Sequence, residues 1–357
     1  MAFQTERLAE VTRGGRVESE HRGALVVVDA TGRLVAHVGD VNLVSYLRSS
    51  AKPFQLLPVI ESGAAARFGF TGAELAVMAG SHSGELRHVA AVQSILDKIG
   101  LSEDALQCGV HMPFNIESAQ ALRAAGQEPT ALYNNCSGKH AGMLAQAVDR
   151  GLSTHDYLDP NHPVQITIRQ RLADLAGVSF DEIGVGLDGC SAPCFALPLK
   201  ASALAFARLT PQPSLPTTNR ASPGEGEHER TALNRVAQVM AAYPEMVAGE
   251  GRLDTDLMRA AKGHVVSKGG AEGYHGMGVV PRDGGSRLGI AIKISDGDGR
   301  RGGHPVVIEV LQQLGLLDDD ALDALRSYHT WVLTNHRGLE VGEVRAKFEL
   351  MRERPPK

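Results

Sequence analysis

Arg48-Ser49-Ser50-Ala51-Lys52-Pro53 is the stretch whose residue types and spacing could most directly do chemistry. A serine hydroxyl is a poor nucleophile until a neighbouring base takes its proton. Three residues along a helix place two side chains on one face, within mutual reach. A lysine at that position can be the base once burial or a nearby cation lowers its pKa. Pro53 suits the first turn of a helix, where a missing N–H is harmless. Ser49 would sit at the helix start, where free backbone N–H groups and the positive dipole end can stabilise an oxyanion. Two adjacent hydroxyls compete for the role, and the Ser-x-x-Lys position selects Ser49 over Ser50. A serine before a helix is also an ordinary N-cap, so the segment needs support from elsewhere in the chain.

Complementary chemistry occurs at four further places. Gly80-Ser81-His82-Ser83-Gly84 follows an apolar run and holds two hydroxyls and an imidazole in a Gly-flanked turn. It is not a G-x-S-x-G elbow, because His82 takes the serine place, and Ser83 can be read as a helix cap. Ser267-Lys268-Gly269-Gly270 sets a lysine at the end of a strand-like run, similar to the Lys-Thr-Gly element of penicillin-recognising enzymes. Asn134-Asn135-Cys136-Ser137-Gly138-Lys139-His140 is a polar stretch entering a helix, without the full phosphate-loop pattern. Gly184 to Gly189 forms a G-x-G-x-x-G, but Pro193 opposes the helix a dinucleotide site requires. Cysteines in such turns could be soft zinc ligands, completed by His140, Asp188 or a neutral Lys139, or they could be buried and inert.

The elements that must position these residues can be read from periodicity. Ala24–Asp29 and Leu34–Val38 are β-branched runs joined by Ala30-Thr31-Gly32-Arg33, which predicts a hairpin. A helix is expected from Pro53 to a stop at Gly63, and another over Gly84–Ile99. Further helices are expected at Lys139–Asp149, Pro163–Leu175, Thr231–Ala242 and His304–Leu314. Strand-like runs return at His264–Ser267, Gly276–Val280 and Leu288–Ile294, and the Pro-rich 211–227 reads as a surface loop. Strands at both ends with helices between predict an α+β fold whose sheet joins distant segments.

Composition narrows the function. The 357 residues are 43% hydrophobic, enough for a substantial core, and carry a net charge of -5. That balance argues against a nucleic-acid groove, which needs basic surface. No stretch reaches the ~18 apolar residues of a membrane helix. The N-terminal stretch has no apolar signal region, so the chain reads as cytoplasmic, with reduced thiols at Cys108, Cys136, Cys190 and Cys194.

Taken in order, the segments resemble the rhizobial-type (class 3) L-asparaginases. The matching strings include Arg48 to Pro53, Ala79 to Ser83 with Arg87-His88, Cys108 to His111, Asn135 to His140, Asp188-Gly189-Cys190, Pro244 to Arg252 and Ile292 to Gly297. That family is similar in fold to serine β-lactamases and penicillin-binding proteins. The resemblance implies an antiparallel sheet joining the N- and C-terminal segments with a helical subdomain between. Its parts would be about 1–60 and 260–357 for the sheet and about 61–259 for the helices, forming a single catalytic unit. It implies two Ser-Lys pairs, Ser49 with Lys52 and Ser81 with Lys268. It further implies zinc on Cys136, Lys139 and Cys190, a substrate pocket lined by Arg48, His140 and Asp188, and a homodimer. The expected reaction is hydrolysis of the L-asparagine side-chain amide to L-aspartate and ammonia. Its rivals are another Ser-Lys amidohydrolase, acting on glutamine, a β-lactam or a peptide, and a non-catalytic protein that binds zinc or an amino acid.

Overall fold

A computed structural model of the chain describes residues 5–210 and 225–353. Its strands are β1 Glu6–Arg13, β2 Arg16–Asp29, β3 Leu34–Val38, β4 Val44–Tyr46, β5 Gly184–Leu187, β6 Pro193–Pro198, β7 Val265–Gly269, β8 Tyr274–Val279, β9 Leu288–Ile294, β10 Thr330–Thr334, β11 Glu340–Ala346 and β12 Met351–Arg352. Its helices are α1 Lys52–Glu61, α2 Ala64–Arg67, α3 Gly72–Met78, α4 Leu86–Lys98, α5 Ile116–Ala124, α6 Ser137–Asp149, α7 Pro163–Ala176, α8 Leu199–Arg208, α9 Glu225–Ala242, α10 Pro244–Val247, α11 Leu253–Ala260, α12 His304–Gln313, α13 Asp319–Ala324 and α14 Arg326–His329. The chain divides into two compact units, residues 1–50, 196–210 and 256–357 in one, and 51–195 and 211–255 in the other.

The first unit is built on an antiparallel sheet in the order β10-β11-β1-β2-β9-β8-β7, with β3 joining β2 to β12. The N-terminal strands β1 and β2 thus lie side by side between strands from the C-terminal part of the chain, as the α+β reading expects. The β2–β3 hairpin forms because Asp29 Oδ1 accepts the backbone N–H groups of Thr31 and Arg33, and Gly32 takes φ +87, a left-handed turn position suited to glycine. β1 escaped the periodicity reading because its buried Glu10 breaks the apolar pattern. The carboxylate is matched by Arg345 of β11, at 2.8 and 3.0 Å. α8 lies on β2, β8 and β9, and glycine makes that approach possible. A Cβ on Gly289 would fall 1.8 Å from the Ala203 carbonyl oxygen, and one on Gly276 within 2.0 Å of the Phe206 ring. Gly289→Ala is therefore expected to cost about 1–3 kcal/mol by forcing the helix off the sheet. Gly299→Ala, with no neighbour nearer than 3.9 Å, should leave the melting temperature close to the parent's. Equal melting temperatures for the two variants would refute this packing.

In the second unit α6 is central, with every residue from Ser137 to Ala147 buried. It packs against α1, α3 and α4, and Gly138 lets it reach α3, since a Cβ there would sit 2.4 Å from the Val77 carbonyl oxygen. α1 begins at Lys52 with Pro53 in its first turn, and the chain turns at Gly63, φ +79. α1 clusters with the helices and α8 with the sheet, where the chain-order division at about 60 and 260 had grouped them otherwise.

The expected helices at 53–63, 84–99, 139–149, 163–175, 231–242 and 304–314 correspond to α1, α4, α6, α7, α9 and α12. The three later strands correspond to β7, β8 and β9. Ser83 is not a helix cap: Glu85 precedes α4 in a capping box with His88, while the Ser83 hydroxyl donates to the Ala248 carbonyl. Most of the Pro-rich 211–227 segment lies outside the described residues, and α9 opens at Glu225. No dinucleotide-type helix follows Gly184–Gly189; β5 enters a turn closed by Asp188 N–H on the Ala192 carbonyl. Among the described residues no helix is long and apolar enough to cross a membrane.

Candidate functional site

Lys52 is the first residue of α1 and is buried, 1% exposed. Its Nζ donates to Ser81 Oγ at 2.9 Å and to the Asn135 carbonyl at 3.1 Å. Burial pushes this amine below its ordinary range; Lys139 adds repulsion, while Cys136 and Cys190 pull the other way. A neutral amine has two protons and one lone pair. Ser81 and Asn135 use both protons, which leaves the lone pair as the site for an incoming proton. The residue that chain spacing paired with Ser49 is therefore joined to Ser81, 29 positions away.

Ser81 is held by a close backbone approach. Its N–H donates to the Val247 carbonyl at 2.7 Å, and Gly80 is required because a Cβ would lie 2.7 Å from that oxygen. The 246–252 string clasps the same turn. Ser83 donates to the Ala248 carbonyl and Arg252 donates to Ser83 Oγ. The Glu250 N–H donates to Glu85, and Gly249, φ +121, leaves room for both. These two family-like strings are thus one structural clasp behind Ser81.

Asn135 is placed by His111, whose Nε2 accepts the Asn135 N–H at 3.0 Å while its other nitrogen donates to the Met112 carbonyl at 2.7 Å. Asn134 fixes the entry to α6 by donating to the Cys108 and Gly109 carbonyls and accepting the Cys136 N–H. His82, fully buried, accepts the Gly84 N–H through Nδ1 and donates to Ser137 Oγ through Nε2. Burial, then His88 and Lys52, hold it far below its usual range, so it is a neutral strut and no base.

Beside Lys52 lies a cluster of two sulfurs and a second amine. Lys139 Nζ donates to Cys190 Sγ at 2.9 Å, and Cys136, whose Sγ donates to Asn135 Oδ1 at 3.5 Å, interacts electrostatically with Cys190 and Lys139. The interaction with Cys190, with Lys52 and Lys139 nearby, holds Cys136 well below the usual thiol range. The interaction with Cys136 and burial push Cys190 up. Burial opposes the charge on Lys139, but Cys136, Cys190 and Asp188 hold its amine above its ordinary range. Cys136 precedes α6, where the helix dipole also favours an anion. Cys190 sits in a tight turn in which Ser191 takes φ +67, an uncommon conformation for a residue with a side chain.

Among the described residues, no group of three or more His, Cys, Asp or Glu could hold a metal. A metal here therefore needs the Lys139 amine as its third donor. Cys136, Lys139 and Cys190 do converge, and two soft sulfurs with a nitrogen fit zinc better than magnesium or calcium. His140 is fully buried, with Nδ1 2.7 Å from the Tyr157 hydroxyl, and burial followed by Lys139 and Lys52 keeps it neutral.

In the sheet unit, Ser50 is fully buried and its Oγ donates to the Lys268 carbonyl at 2.6 Å. Its N–H donates to the Leu47 carbonyl, so it is not a free oxyanion donor. Ser49 is only half-buried. Arg48 holds φ +51, a strained position of the kind that clusters at functional sites. Lys268 is buried in β7, and its Nζ donates to the Gly269 carbonyl at 2.6 Å.

A family model described as L-asparaginase II matches residues 9–346. No curated protein matches the chain significantly. Among solved structures, Mglu in its glutamate form is 15% identical with a TM-score of 0.42, over 83% of this chain. The chain spans 61% of the length of that Mglu chain. A probable glutaminase from Bacillus subtilis, complexed with 6-diazo-5-oxo-L-norleucine, is 13% identical with a TM-score of 0.36, over 83% of this chain and 85% of that one.

Proposed function

Because the chain belongs to the L-asparaginase II family, we propose that it is an amidohydrolase and that it hydrolyses the side-chain amide of L-asparagine to L-aspartate and ammonia. The observation that carries this reading is the buried Lys52 amine on Ser81 Oγ at 2.9 Å, held below its ordinary range by burial. A buried amine of this kind is suited to moving protons at neutral pH.

In this reading Ser49 Oγ attacks the amide carbon and Lys52 takes its proton. The tetrahedral adduct collapses to an ester on Ser49, and the departing amide nitrogen receives a proton through Ser81. Water then cleaves the ester, giving L-aspartate. Lys268 belongs to the second Ser-Lys pair with Ser81. Arg48 is assigned to the substrate carboxylate, Asp188 to its α-ammonium group, and His140 to the same pocket. Ser49 is favoured over Ser50, whose hydroxyl donates to the Lys268 carbonyl. The whole chain is taken as one catalytic unit, a homodimer and cytoplasmic.

Initial rates of ammonia release from L-asparagine and L-glutamine, with a chromogenic β-lactam as third substrate, test the assignment. Asparagine should be turned over fastest. Preference for glutamine or the β-lactam would move the chain to a neighbouring amidohydrolase activity, and no turnover at all would favour a binding protein.

Zinc on Cys136, Lys139 and Cys190 is part of the same proposal. When bound, the cation would supply fixed positive charge beside the substrate. Lys139 binds only as the free amine, and its pKa is held high, so affinity should fall as pH falls. A chelator is expected to raise KM for asparagine more than it lowers kcat. Elemental analysis of protein purified without chelator should find zinc in the parent and much less in Cys136→Ser and Cys190→Ser. A zinc-free parent, or equal zinc in all three, would reduce these cysteines to packed thiols.

A further inference from the structure

Tyr157 is fully buried, and its hydroxyl stands between two fixed groups. The backbone N–H of Gln107 donates to it at 3.0 Å, and His140 Nδ1 lies 2.7 Å away, with the two rings edge to face at 86°. A backbone N–H cannot reverse its role, so the phenol oxygen is an acceptor toward Gln107. Among the described residues the single phenolic proton then has one acceptor within reach, His140 Nδ1. That nitrogen must carry the lone pair, and the ring proton of the neutral imidazole must sit on Nε2. Among the described residues His140 Nε2 is buried without a hydrogen-bond partner. A buried donor left unmatched is costly.

We propose that Tyr157 is a positioning residue that locks His140 as its Nε2–H tautomer, so that His140 offers a buried donor to an acceptor oxygen of the substrate. This rests on the amidohydrolase reading for the place of His140 in the substrate pocket and for the identity of the acceptor. Two consequences follow from the proton's location. His140 is neither a general base nor a metal ligand through Nε2, because that nitrogen has no free lone pair. Tyr157 also orients the ring without touching the substrate. Its backbone is anchored in turn by Gln165, whose Nε2 donates to the Tyr157 carbonyl at 2.7 Å.

Nitrogen-15 NMR of histidine-labelled full-length protein tests the lock directly, with His140→Gln identifying the signals. The parent without substrate should show a protonated Nε2 and a bare Nδ1. In Tyr157→Phe the His140 signals should shift toward a mixture of tautomers, and KM for the amide turned over should rise about five- to tenfold with a smaller change in kcat. A proton on Nδ1 in the parent, or a metal on Nε2, overturns the proposal without any variant having to fold. So does an unchanged KM in a folded Tyr157→Phe. Because the tautomer is read without substrate, failure to hydrolyse asparagine would sink the substrate assignment while leaving the tautomer result standing.

Discussion

Ser49→Ala should lower kcat/KM for asparagine by about 10⁴-fold or more while leaving the fold intact, whereas Ser50→Ala should stay active. Losing the nucleophile of a serine hydrolase has effects of that size, because the remaining groups act only through it. The contrast between neighbours carries the weight. Ser50 Oγ is buried and already donates to the Lys268 carbonyl at 2.6 Å, so its removal breaks one internal hydrogen bond of roughly 1 kcal/mol. That loss should appear as a small drop in melting temperature. Ser49 is half-buried, beside an arginine at φ +51, and its removal should hardly affect stability. If Ser50→Ala is the dead enzyme and Ser49→Ala the live one, the nucleophile has been assigned to the wrong hydroxyl.

Lys52→Arg is expected to lose about 10²–10⁴-fold in kcat/KM, the usual range for removing a general base. Arginine keeps the charge and the reach but stays protonated at any working pH, so it can accept nothing from a serine. Burial lowers the Lys52 pKa, so the neutral, base-competent form gains as pH rises and is reached sooner than for an exposed lysine. The parent's activity should therefore climb with pH along a limb below the ordinary lysine range, and that limb should be missing from the residual activity of Lys52→Arg. An active Lys52→Arg enzyme, or an unchanged limb in it, would remove lysine from the proton-accepting role.

The sequence made local patterns legible and left long-range contacts hidden. The β2–β3 turn and helices α1, α4, α6 and α7 follow from apolar spacing and glycine stops, which act over a few residues. The convergence of Lys52, Ser81, Cys136, Lys139 and Cys190 could be anticipated only from the order of family-like strings. No spacing rule joins residue 52 to residue 81 or residue 139 to residue 190. The supporting groups were not found. His111 behind Asn135, Tyr157 behind His140 and His82 behind Ser137 each act through one hydrogen bond spanning 17 to 55 positions. Ser83 illustrates the same limit, since a serine before a helix looks like a cap until its acceptor, the Ala248 carbonyl, is brought beside it.

The covalent step is the central claim, and partitioning with hydroxylamine tests it most directly. Asparagine is turned over at saturation with increasing hydroxylamine, and ammonia, aspartate and aspartyl β-hydroxamate are measured together. An ester on Ser49 predicts that hydroxamate appears at the expense of aspartate, that the two sum to the ammonia released, and that Ser49→Ala forms neither above background. Aspartate equal to ammonia at every hydroxylamine concentration, with no hydroxamate, would mean that water attacks the amide directly, and the Ser-Lys mechanism would be wrong.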